Sequence, residues 1–213
     1  GYNAGTANTT GGVNAFYGAV AGAANTTGNG NSFYGSQAGT SNINGNFNSF
    51  FGSDAGQYNT SGVSNSFFGK NAGVQNNASY NSFFGSFAGS FNTTGLDNSF
   101  FGGSSGVANS EGSYNSFFGR EAGASNSTGN SNSFFGWRAG YSNLTSSENS
   151  FYGQNAGFTN TTGTKNAFFG EAAGYFNNAS NNSFFGQAAG IANTTGANNS
   201  IFGQNAGVGN QDG

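Results

Sequence analysis

At 213 residues the chain is long enough for one or two ordinary domains, yet it holds 40 Gly, no Pro, no Cys, no His and only 5% charged residues. A net charge of −3, with four scattered bases (Lys70, Arg120, Arg138 and Lys165), excludes the basic footprint of a nucleic-acid binder. The missing Cys and His remove the usual soft-metal ligands and any disulfide framework, and no apolar run approaches the ~20 residues of a membrane-spanning helix.

Taken in order, the chain repeats one pentad, Asn-Ser-Phe-Phe-Gly, beginning at Asn14, Asn31, Asn48, Asn65, Asn81, Asn98, Asn115, Asn132, Asn149, Asn166, Asn182 and Asn199. The steps are 17 residues except at Asn65–Asn81 and Asn166–Asn182, which are 16. The third position is Phe except for Ile201, and the fourth is always Phe or Tyr. Aromatics held at one phase of a fixed period are the opposite of a disordered, aromatic-poor composition. They predict a repeat architecture in which each unit buries its apolar face only by stacking on its neighbours. The expected fold is all-β: a parallel β-solenoid of 16–17 residues per coil and about 12 coils, with residues 1–213 forming a single repeat array. The chain starts and stops in mid-repeat, so it reads as a segment of a longer fibre protein.

Within a unit such as 48–64, a short strand ends at the pentad glycine, Gly52. A small-residue pair, Ala55-Gly56, follows three residues later, and this Gly-x-x-Ala-Gly spacing is kept along the chain, with Ser105 replacing Ala once. Small residues at one phase fit a narrow side where two backbones approach. Three residues beyond comes an Asn in every unit, from Asn8 to Asn210, a residue that tolerates left-handed backbone and can form amide ladders when stacked. The loop after this Asn usually ends in Gly, and both short units replace it with Asn-Ala-Ser (Asn77–Ser79 and Asn178–Ser180). A length change confined to one loop predicts that the loop lies outside the stacking core.

Successive side chains of a strand point to opposite faces. Each aromatic pair therefore sends one ring into the coil and one outward. The pairs are Phe33/Tyr34, Phe50/Phe51, Phe67/Phe68, Phe83/Phe84, Phe100/Phe101, Phe117/Phe118, Phe134/Phe135, Phe151/Tyr152, Phe168/Phe169 and Phe184/Phe185. An outward stripe of this length exceeds what a monomer normally exposes, and it predicts self-association, as a homotrimer or a filament.

No catalytic constellation assembles. The seven acids (Asp54, Asp97, Glu111, Glu121, Glu148, Glu171 and Asp212) do not form a row, and paired carboxylates must sit within several Å of one another. No cofactor is expected. Calcium-binding repeats would need an Asp in every turn. The one chemical motif is Asn-x-Ser/Thr, a glycosylation acceptor, found in the loops at Asn8, Asn25, Asn59, Asn77, Asn92, Asn126, Asn143, Asn160, Asn178 and Asn193. A plain polar turn explains the same residues.

The unit Asn-Ser-Phe-Phe-Gly-x-x-Ala-Gly resembles the YadA-like head repeat of trimeric autotransporter adhesins, and with Asn-Thr-Thr-Gly it is similar to repeats of bacterial surface and phage tail-fibre-like proteins. The resemblance covers essentially the whole chain. It implies a left-handed parallel β-roll with two short strands per coil, three chains in a head or stalk, and attachment at a cell surface or virion fibre, with a host surface or glycan receptor as a further partner. The coil here is longer than in those heads, and Phe stands where they carry aliphatic residues. The functional expectation is a non-enzymatic extracellular fibre. Two alternatives are an ice-binding solenoid, from Thr pairs such as Thr9-Thr10 and Thr26-Thr27, and a carbohydrate-binding tip using Trp137 and Tyr141.

Overall fold

The computed structural model describes residues 1–212 and contains one 12-stranded parallel sheet, from β1 (Ala15–Tyr17) to β12 (Ser200–Phe202), in sequence order. Each strand is the Ser-Phe-Phe of one pentad and pairs in register with the same three residues of the next coil, as in Ser99↔Ser116, Phe100↔Phe117 and Phe101↔Phe118. The result is the expected β-solenoid, and the described residues contain no helix.

Alternation along the strand places the rings as the period-2 rule requires. Phe33, Phe50, Phe67, Phe83, Phe100, Phe117, Phe134, Phe151, Phe168 and Phe184 are fully buried. They stack in one column with centroids 4.8–4.9 Å apart and planes tilted by only 4–7°. Buried alanines, among them Ala55, Ala72 and Ala88, close the opposite side of this core. Ser105, the exception to the alanine rule, satisfies its buried hydroxyl by donating to the Phe117 carbonyl at 3.1 Å.

The resemblance implies two strands per coil, and the structure has one. The Ala-Gly side cannot extend, because Asp54 (φ 60°) and Gly56 (φ 57°) are both left-handed, and Ala55, Gln57 and Asn59 each donate to the carbonyl three residues back. That side is a run of tight turns. Gly56 is fixed by packing as well as by φ, since a Cβ there would lie 2.5 Å from the Phe50 ring. The matching position at Asp54, and the residue just before each pentad except Gly30, hold left-handed non-glycine residues coil after coil. Each such residue costs roughly 1–2 kcal/mol relative to ordinary backbone.

Two columns of asparagine amides run parallel to the ring column. In the first, the pentad Asn accepts on Oδ1 from the backbone N–H of the next pentad Asn, as Asn98 does from Asn115 at 2.9 Å, while its Nδ2 donates to the Gly112 carbonyl at 2.8 Å. In the second, the loop Asn donates Nδ2 to Oδ1 of its predecessor, as Asn109 does to Asn92 and Asn126 to Asn109, at 2.7 and 2.6 Å. Both columns are buried, so each satisfied amide replaces a desolvation penalty with a charge-free cross-link between coils.

The inner edge of the variable loop proves to be part of this stacking core rather than outside it. In ordinary coils its glycine carbonyl, as at Gly112, accepts from two amides. In the short coils the Ala78 and Ala179 carbonyls take that place. The strands keep register (Ser66↔Ser82), but the loop-Asn column breaks. Asn76 turns its Nδ2 to Ala78, and the buried Oδ1 atoms of Asn59 and Asn160 are left without a hydrogen-bond partner among the described residues.

Candidate functional site

The outer rings form a second stacked column. From Tyr17 through Tyr34, Phe51, Phe68, Phe84, Phe101, Phe118, Phe135, Tyr152 and Phe169 to Phe185 the centroids lie 4.6–4.8 Å apart, and Phe202 follows at 5.0 Å. Because the stack runs along the solenoid axis, each ring covers its neighbours' faces and shows solvent only an edge. Most of the stripe is therefore half-buried within the chain itself, with larger exposure at Tyr17 and Phe202 near its ends. Within each pair, only the outer ring is placed to touch another molecule. The inner partner of each pair, from Phe33 to Phe184, is sealed inside.

The acceptor asparagines divide in the same way. Asn25, Asn59, Asn92, Asn126, Asn143, Asn160 and Asn193 are fully buried, with Nδ2 donating to a carbonyl of the loop, as Asn126 does to Gly129 at 3.0 Å. A folded coil does not present these nitrogens, contrary to the expectation that the loop exposes them all. Asn8, Asn77 and Asn178 are exposed. Asn77 has a structural duty of its own. Its Oδ1 accepts from the backbone N–H of Thr60 and Ser61, both at 3.0 Å, standing in for the peptide carbonyl that the short coil lacks. Asn178 does the same for Thr161 and Thr162 at 2.9 Å. Both jobs use the oxygen and leave the acceptor nitrogen uninvolved.

One charged cluster interrupts the polar surface. Glu121 receives Arg138 Nε at 2.6 Å and Arg120 at 3.0 Å, and the Arg138 guanidinium lies 4.9 Å from the Trp137 ring and 5.4 Å from the Tyr141 ring. The hydrogen bond from Arg138 is the main reason that the Glu121 carboxyl is held below its ordinary range, and the same bond raises Arg138. Tyr141 begins a short column with Phe158 and Tyr175, at 5.1 and 4.9 Å. No protein-family model, curated protein or solved structure matches the chain. Geometry alone therefore carries the functional reading. Trp137 and Tyr141, the candidates for sugar stacking, already share Arg138, and the Tyr141 face is covered on one side by Phe158. The first hydroxyl of each Thr pair is also occupied: Thr9 and Thr26 donate to the Thr26 and Ile43 carbonyls of the next coil, at 3.0 and 3.1 Å. The described residues enclose no pocket and gather no group of three or more potential metal ligands.

The role of the pentad Asn is legible only after the fold is known. Its presence in all twelve copies, at a place where many polar residues would serve a strand start, is the signal that points to a specific side-chain bond.

Proposed function

We propose that this chain is a non-enzymatic structural element, a rod-like segment of an extracellular fibre such as an adhesin head, a stalk, a virion fibre or a filament subunit. The observation that carries the reading is the uniformity of the array: strands, two ring columns and two amide columns repeat in register along the axis. The polar groups that could do chemistry are occupied in joining one coil to the next. Rods need this, because a fixed rise per coil turns repeat number into length. Its first partner is another copy of itself, and a receptor on a host surface is a later one. The Thr rows and aromatic columns supply the ice-binding and sugar-binding alternatives with less, since the first hydroxyl of each Thr pair and the Tyr141 ring face are used internally.

The test is electron microscopy of intact source cells or particles with an antibody raised against the 213-residue chain, together with negative-stain imaging of the isolated chain. Labelling of projecting fibres and rods of constant width are expected. Label confined to the cell interior would sink the extracellular reading.

A further inference from the structure

Two Asn-Gly pairs occur in the chain, Asn29-Gly30 and Asn44-Gly45. An Asn before Gly is open to one covalent change, because Gly has no Cβ to hold its nitrogen away from the preceding side chain. Closing a five-membered ring between adjacent residues needs no encounter, only orientation. Both asparagines lie on exposed loop edges, so access to water does not separate them. Their hydrogen bonds do.

Asn29 is fixed at both ends of its amide. Its Oδ1 accepts from the Gly12 N–H at 2.8 Å, and its Nδ2 donates to the Thr27 carbonyl at 2.8 Å and to Asn46 Oδ1 at 3.2 Å. The Gly30 N–H, which would have to attack, donates to the Gly12 carbonyl at 3.0 Å. Asn44 has the opposite environment. Among the described residues its side-chain amide makes no hydrogen bond, and neither does the Gly45 N–H. Its own N–H reaches the Thr60 carbonyl only at 3.3 Å, beyond the usual range. Other coils place Thr27, Ser61 and Thr94 at this phase, where no amide is available to react.

We propose that Asn44 is a site of spontaneous deamidation in the folded chain, with the Gly45 nitrogen as nucleophile, and that the fold protects Asn29 from the same reaction. The Gly45 nitrogen gives its proton to base and attacks Asn44 Cγ. A C–N bond forms, the Cγ–Nδ2 bond breaks, and Nδ2 takes up a proton and leaves as ammonia. One water then opens the cyclic imide at either carbonyl, giving aspartate or isoaspartate, and nothing is oxidised or reduced. The fold treats the two products differently. Aspartate puts a carboxylate at the phase that Glu111 holds in its own coil, so the solenoid accommodates it. Isoaspartate adds a methylene to the main chain just before Gly45, whose carbonyl accepts from Asn31 Nδ2 at 2.8 Å and from Asn42 Nδ2 at 3.1 Å. That product pulls on both buried amide columns at one level. The modification goes beyond the fibre reading, and a rod of any location would undergo it.

The experiment incubates the folded 213-residue chain in mildly alkaline buffer beside a urea-unfolded sample. Peptide mapping by mass spectrometry follows conversion at residues 29 and 44 in both. The unfolded rates correct for local sequence. The ratio of folded to unfolded rate is expected to be at least about tenfold higher at Asn44 than at Asn29, because Asn29 and Gly30 react only after several hydrogen bonds open together. Both products should appear at residue 44, with isoaspartate identified by methyl transfer from S-adenosylmethionine using an isoaspartyl methyltransferase. Asn44→Thr should abolish that methylation and leave the circular dichroism spectrum unchanged. Hydrogen exchange of a peptide covering residues 42–48 should speed up in the isoaspartate fraction and stay as in wild type for Asn44→Asp. Equal ratios at the two sites, aspartate without isoaspartate, or an Asn44 that stays intact while the unfolded chain converts would each overturn the proposal. None of these outcomes alters the microscopy on which the fibre reading rests.

Discussion

Truncating Phe117 to Ala tests the two-column architecture most directly. Phe117 is fully buried and stacks on Phe100 and on Phe134, both at 4.8 Å. Its removal leaves a ring-sized cavity in a core whose only other side chains at that level are small, with Ala122 opposite. The neighbouring coils are held by backbone ladders and amide columns and cannot collapse into the space. The expected cost is about 4 kcal/mol, within the 3–5 kcal/mol range for buried Phe→Ala. The outer ring of the same coil, Phe118, is half-buried, and its truncation should cost roughly 1–1.5 kcal/mol, about half the full-burial value. A long repeat array need not unfold in one step, so the measurement is hydrogen exchange of peptides covering residues 109–126. Protection there should fall about 10³-fold for Phe117→Ala and about tenfold for Phe118→Ala, with little change in coils near either end. Equal effects at the two positions would refute the inner and outer assignment.

Asn109→Ala should be costly for a different reason: Asn92 Oδ1 loses its one buried donor, at about 1–3 kcal/mol for an unsatisfied group, while Asn126 Nδ2 and the Gly112 carbonyl each lose one of two partners. Its melting transition should drop well below that of Thr94→Ala, which alters an exposed loop residue of the preceding coil. Glu121 should make stability pH-dependent in a defined direction. Its folded pKa lies below the ordinary 4.5, so the folded state takes up the proton less readily than the unfolded one. The contribution is complete above the unfolded value and lost as pH falls through the folded one. Melting temperatures of wild type and Glu121→Gln should differ at pH 7 and converge in acid; a constant gap down to pH 2 would contradict this. Expressed in a glycosylating host, the chain should carry sugar at Asn77 and Asn178, with Asn8 the other exposed acceptor, and peptide mapping should find none at Asn126.

Much of this fold is written plainly in the sequence. The pentad period and its phase-locked aromatics give the coil length, the parallel register and the inward and outward division of rings such as Phe100 and Phe101, because strand alternation admits little else. The second strand expected from the adhesin resemblance is absent, since the residue pattern around Asp54-Ala55-Gly56 does not reveal that two left-handed residues lie so close together. Burial of the loop asparagines was equally hard to see: Asn-Thr-Thr-Gly looks like an exposed polar turn, and only the stacked geometry shows the Asn25 amide turned inward to Asn8 and Gly28.

The loop-asparagine column also gives the rod a direction. Each Nδ2 points to the lower-numbered coil and each Oδ1 to the higher, so the amide dipoles add along the axis, as peptide dipoles do in a helix. The short coils cut that sum. One run of aligned amides ends at Asn59, a second extends from Asn76 to Asn160, and a third starts at Asn177. A single deleted residue per short coil therefore divides the loop-amide column into sections of one mechanically continuous rod: the strands carry load across Asn59–Asn76 and Asn160–Asn177, while the line of amide-to-amide hydrogen bonds stops there.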